Sequence, residues 1–212
     1  MAYHGLMMPL AVYVFRRNKE TGAPVTILEI GIDKGIGMFA LLNNLNTFRA
    51  SYRYYGVDIE LLTGVREAVK YMIFHPDCWA GLREEDSLVY LKNDDKIYDV
   101  VLVDGDHSYE TVSQECKMLP NRIHKDTLIL FDDYYGGKHG GVKIAVDEFL
   151  QHNKHFKALN VRAGATRLPA ELQSMTAPFE APLAVGSPEV LDALSASVAV
   201  IEKNIVSNSG LP

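Results

Sequence analysis

"YDVVLVDGDHSYE" (98–110) decides the fold: Val100 to Val103 are apolar at every position, and the run breaks off into Asp104, Asp106 and His107. A strand with one wet face alternates apolar and polar residues, whereas a run without alternation fits a strand covered on both faces. "TLILFD" (127–132) repeats the design and ends in the pair Asp132-Asp133. Further short runs at "VTILEIG" (25–31), "RYYGVD" (53–58), "DCWAGL" (77–82) and "FKALNVR" (156–162) read as strands. Helix-length segments at 36–47, 60–74, 86–93, 108–120 and 141–152 separate them. Such alternation predicts an α/β fold, a doubly wound, mostly parallel sheet with helices on both faces and its ligand site at the carboxyl ends of the strands. Asp104, Asp132 and Asp133 then stand on the rim where function sits.

With 212 residues, 48% of them hydrophobic, the chain can bury one core. Residues 1–24 read as an N-terminal helical segment, 25–162 as the main domain and 163–212 as an appendage rich in Ala, Pro, Gly and Thr at its start. A helix is predicted over 187–204, with Ser187 as cap, Pro188 in the first turn and Glu189 complementing the dipole. Val190, Leu191, Leu194, Val198 and Ile201 share one face of it. That face has two places to go, the core or a second copy of the chain, so a homo-oligomer is among the expected partners. The formal net charge of −6 speaks against nucleic acid as a partner. Cys78 and Cys116 are far apart without metal-ligand spacing, the usage of a reduced, cytoplasmic protein. No apolar run approaches the ~20 residues of a membrane span, and the N-terminus lacks the basic start and cleavage site of a signal peptide.

After the first strand, "ILEIGIDKGIG" spaces Glu29, Gly31, Gly35 and Gly37 as E-x-G-x-x-x-G-x-G. Glycines at a strand-to-helix turn let the backbone approach a ligand closely. The first gap is too long for the G-x-G-x-x-G of dinucleotide enzymes, which speaks against a dehydrogenase. An acid two residues before the first glycine suits a ligand carrying an ammonium group. "YYGVDIE" ends its strand in Asp58, which can accept two ribose hydroxyls or cap the 60–74 helix. In "REEDS", Asp86 and Ser87 can meet an adenine amino group or cap the next short helix.

In this order of motifs the chain resembles the class I S-adenosylmethionine-dependent methyltransferases over about residues 25–162. The resemblance implies a Rossmann-like methyltransferase sheet and S-adenosylmethionine as cofactor, with Gly31 beside it, Asp58 on the ribose and Asp86 facing the adenine. Asp33 and Lys34 depart from the small residues the family often has inside the turn.

In the family's strand order the tips carrying Asp104, Asp132 and Asp133 are neighbours, beside the cofactor's methyl group. Three unpaired carboxylates repel at low dielectric, and a divalent cation resolves the repulsion. All-oxygen ligands favour Mg²⁺ or a similar hard ion. The pattern is similar to metal-dependent O-methyltransferases, of the catechol and caffeoyl-CoA type and of the macrocin and novobiocin sugar type. For the general base the resemblance offers Asp106, matching the sugar type's catalytic aspartate, and His107, at the position of the catechol type's lysine; a cap of the helix near Ser108 is the structural alternative. The expected activity is methyl transfer to a hydroxyl of a small-molecule acceptor. Its rival is a non-catalytic cofactor-binding or interaction subunit of the same fold.

Overall fold

In a computed structural model of the chain, residues 6–135, 140–160 and 183–197 are described. Helix α1 (Met7–Thr21) leads into β1 (Val25–Ile30), α2 (Ile36–Phe48), β2 (Tyr52–Asp58), α3 (Thr63–Val69), β3 (Trp79–Glu84) and α4 (Ser87–Asn93). Then follow β4 (Tyr98–Val103), α5 (Tyr109–Met118), β5 (Ile123–Phe131), α6 (Gly140–His152), β6 (Lys157–Asn160) and β7 (Leu183–Gly186). A last helix, α7, covers 188–197. The strands form one sheet in the order β3-β2-β1-β4-β5-β7-β6. β1 to β5 are parallel, and β7 runs antiparallel between β5 and β6.

The apolar runs are continuous because each strand feeds two cores. Val100 and Leu102 of β4, like Leu128 and Leu130 of β5, join the cluster built with α1, α2, α3 and α7. Val101 and Val103, like Ile129 and Phe131, join the opposite cluster with α4, α5 and α6. Helix α1 belongs to this architecture, because Leu6, Met7, Leu10, Ala11 and Val14 are buried in the first core.

Two sequence expectations shift. The third strand runs over Trp79–Glu84 instead of 77–82. As the edge strand it is only partly buried, so its apolar pattern marks the pairing poorly. The stretch set apart as an appendage, 163–212, supplies β7, whose Leu183 to Val185 pair with Phe131 to Ile129, between β5 and the edge strand β6. Val190, Leu191 and Leu194 of α7 close the first core. Val198 and Ile201 lie outside the described residues.

Candidate active site

A cleft of about 490 Å³ opens at the carboxyl ends of β1, β2, β3 and β4. Gly31 forms its floor with φ +89°, and a Cβ there would lie 2.0 Å from the carbonyl oxygen of Asp104. Only glycine allows the β1 turn and the exit of β4 to touch in this way. Gly35 starts α2 with φ +73° and Gly37 lies in its first turn; neither is on the cleft wall. Glu29 is also off the wall, pointing into the core where Tyr54 donates its hydroxyl to the carboxylate. Burial pushes the Glu29 carboxyl up to about 7, against the Tyr54 hydrogen bond that lowers it.

Asp58 does line the cleft, and its carboxylate is busy. Oδ2 accepts from the backbone N–H of Ile32 at 2.6 Å and of Asp33 at 2.9 Å, and Oδ1 from that of Glu60 at 3.1 Å. It thus ties the glycine turn to the end of β2. It does not cap a helix: α3 begins only at Thr63, after Leu62. Asp86 does cap α4, its Oδ1 accepting from Leu88 N at 2.9 Å and Val89 N at 3.1 Å, while also standing on the cleft wall. Ser87 beside it turns its hydroxyl inward and donates to Glu115 Oε1 at 2.6 Å.

The tips of β4 and β5 form the second part of the site. Asp132 is 5% exposed, and its buried Oδ1 finds no hydrogen-bond donor among the described residues. Asp104 faces it, and its carboxyl is pushed up to about 9, by burial first, then by the charge and carboxyl of Asp132, then by Glu29. Asp133 takes a left-handed backbone (φ +53°) and meets His107 Nδ1 at 2.8 Å through Oδ2. The other nitrogen, Nε2, stands 3.7 Å from Asp104 Oδ1. The rim therefore pairs Asp104 with Asp132 and His107 with Asp133. Among the described residues no three His, Cys, Asp or Glu side chains are grouped to hold an ion together. The donor chemistry still suits a hard cation, since the carboxyls of Asp104 and Asp132 face each other and Asp132 Oδ1 meets no donor among the described residues.

Asp106 is built into the loop. Its Oδ2 accepts from the hydroxyls of Thr111 and Ser108, both at 2.7 Å, and its Oδ1 from Ser108 N at 3.1 Å. These bonds, Thr111's first, hold its carboxyl below the usual range. Ser108 itself is the N-cap of α5, accepting from Thr111 N. Glu115 is the residue sequence reasoning missed. It is fully buried on α5, and burial pushes its carboxyl up to about 7, with Ser87 lowering it and Asp106 and Asp86 raising it. A signal was present, because Val112, Glu115 and Leu119 share one helical face and that face is otherwise apolar.

The model of the family described as methyltransferase domain matches residues 28–134, which span the glycine turn, the cleft and the rim. No curated protein matches the sequence. Among solved structures, the calicheamicin methyltransferase CalS11 is similar at TM-score 0.58 and 14% identity, over 85% of this chain and 78% of that one. The methyltransferase PaMTH1 of Podospora anserina, with bound S-adenosylhomocysteine (SAH), aligns at TM-score 0.55 and 17% identity over 84% and 77%. An O-methyltransferase of Bacillus cereus in complex with SAH aligns at TM-score 0.52 and 15% identity over 84% and 80%. These likenesses are of fold, over most of this chain. Among the described residues no helix is long and apolar enough to cross a membrane. The chain belongs to the methyltransferase domain family and is an S-adenosylmethionine-dependent methyltransferase.

Proposed function

We propose that the chain transfers the methyl group to a hydroxyl oxygen of a small hydroxylated molecule, and that a divalent cation, Mg²⁺ by its oxygen ligands, binds at the rim. The observation that carries this reading is the Asp104–Asp132 pair: Asp104 lines the cleft, Asp132 faces it, and the buried Oδ1 of Asp132 meets no donor among the described residues. Asp104 and Asp132 would hold the ion, with Asp133 as the third carboxylate of the rim. Bound there, the ion would lower the pKa of the acceptor's hydroxyl. CalS11 is described as a TDP-rhamnose 3'-O-methyltransferase, which gives sugar hydroxyls a place among the acceptors to try.

The protein's own residues have separable tasks. Asp58 holds the glycine turn and offers its carboxylate to the ribose. His107, steadied by Asp133, takes the acceptor's proton as the general base. Asp106 already accepts three hydrogen bonds that favour its ionised form, which makes it the weaker base and the keeper of the loop. The test is methyl transfer from labelled S-adenosylmethionine to a panel of catechols and sugar nucleotides, with Mg²⁺ and with EDTA. It is read together with Mn²⁺ binding to wild type and Asp132→Ala. Transfer to oxygen that needs the metal supports the proposal. Undiminished transfer in EDTA, with no Mn²⁺ bound, removes the metal, and methylation at nitrogen or carbon removes the hydroxyl.

A further inference from the structure

We propose that Glu115 is a positioning residue that fixes the polarity of the Ser87 hydroxyl, so that the cleft selects a cofactor with a 6-amino group on its purine. This rests on the reading of the cleft as the S-adenosylmethionine site. Ser87 has one hydroxyl proton and spends it on Glu115 Oε1 at 2.6 Å. What remains for the cleft, whose wall includes Ser87, is lone pairs. Asp86 beside it is an acceptor of the same kind, since Leu88 and Val89 take only Oδ1 and leave Oδ2. This end of the cleft therefore offers acceptors to a ligand's edge. An exocyclic amino group supplies the matching donors, and a carbonyl in its place would face lone pairs with lone pairs.

Glu115 is placed for this one task. It is fully buried on α5, its other oxygen, Oε2, meets no donor among the described residues, and its only hydrogen bond shown is the one from Ser87. A carboxyl buried without compensation costs stability. A second carboxyl-bearing loop on each side, at Asp86 and Asp106, adds to that cost. A residue that only filled space here would be better apolar, like Val112 and Leu119 on the same face. The contact also joins α5 to the start of α4, so the group that reads the base is anchored on a helix whose first turn follows the Asp106 loop.

The experiment compares SAH with its hypoxanthine analogue, S-inosylhomocysteine, by calorimetry at pH 8.5, where the Glu115 carboxylate can only accept. Wild type should prefer SAH by roughly ten- to a hundredfold, the size expected when a hydrogen bond to a carboxylate is lost. In Glu115→Gln the amide can donate to Ser87, freeing the hydroxyl proton to point into the cleft, and the preference should shrink about tenfold. Ser87→Ala should shrink it likewise and serves where the Gln variant does not fold. A merely structural role for Glu115 would weaken both ligands alike and leave the ratio unchanged. An unchanged ratio in both variants, or no preference in wild type, overturns the proposal. If wild type does not bind SAH at all, the cofactor reading of the cleft fails instead.

Discussion

Strand β4 carries an aspartate at each end, and each end also holds a histidine–aspartate pair. At the amino end, Asp99 accepts from Thr26 N at 2.8 Å and meets His124 Nε2 at 3.1 Å and Arg17 Nη2 at 3.4 Å. At the carboxyl end, Asp104 faces Asp132, with His107 turned to Asp133. Burial raises both carboxyls, yet the outcomes are opposite. For Asp99 the bonds from His124, Thr26 and Arg17 outweigh burial and the carboxyl ends below its ordinary range. For Asp104 the nearest group is another acid, and the carboxyl rises to about 9. A buried acid whose needs are met by its own chain is a staple. One that faces another acid instead is a candidate for binding something the chain does not supply.

The largest expected difference lies between the two histidines. His107→Gln should lower turnover by ~10²–10⁴-fold, the usual loss of a general base, with little effect on unfolding. His124→Gln should leave turnover near wild type and affect only stability. Steady-state rates beside denaturant midpoints decide this. Near-normal turnover for the His107 variant would dissolve the contrast and leave hydroxyl activation to the cation alone.

Next comes Asp58→Ala, which should weaken SAH about ten- to a hundredfold, since bonds to a charged acceptor contribute about 1.5–3 kcal/mol. The amides of Ile32 and Asp33 lose the same partner, so the variant should also exchange these two protons faster. Weak binding with unchanged exchange would mean that the ribose contact acts alone. Unaltered affinity would place the ribose elsewhere.

How much of this was legible beforehand follows from the range of each interaction. The central strands could be read because "VVLV" and "LILF" are apolar on both faces, a local signal. β7 could not, because "LAVG" is four residues long in an Ala- and Pro-rich stretch, and its partner lies more than fifty residues back. Aspartates at strand tips announced the rim. Their pairing did not announce itself: that Asp132 turns to Asp104 while Asp133 turns to His107 depends on a left-handed residue at Asp133. Asp86 and Asp58 both read as ligand or cap, and only the folded chain separates the cap at α4 from the tie at the glycine turn.

A smaller effect separates the two aspartates in stability. Asp99→Asn leaves the Arg17 and His124 side without its full acceptor and should cost about 1–2 kcal/mol in denaturant unfolding. Asp104→Asn removes one of two facing acids and should leave stability unchanged or raise it by about 1 kcal/mol, while Mn²⁺ binding is lost. Equal destabilisation by both would mean that Asp104 is a staple too.

The finest test reads a sign rather than a size. Asp99 has a folded pKa below its unfolded value, so the stability it adds is present above about pH 4 and disappears as pH falls through the folded value. Asp104 has a folded pKa raised to about 9, so in metal-free buffer the folded state binds a proton that the unfolded chain releases. Its contribution is greatest below about pH 4 and declines as pH rises towards 9. Asp99→Asn should therefore flatten the acid limb of the stability profile, and Asp104→Asn the alkaline limb, each leaving the other limb in place. Unfolding by urea between pH 3 and 9 in EDTA measures both slopes. If the proposed cation binds, added Mg²⁺ should shrink the alkaline decline of wild type, because a cation held by Asp104 and Asp132 would do the proton's work. If Asp104→Asn keeps the full alkaline decline, the two ends of β4 do not differ in the way their geometry implies, and the rim loses its claim to an unmet charge.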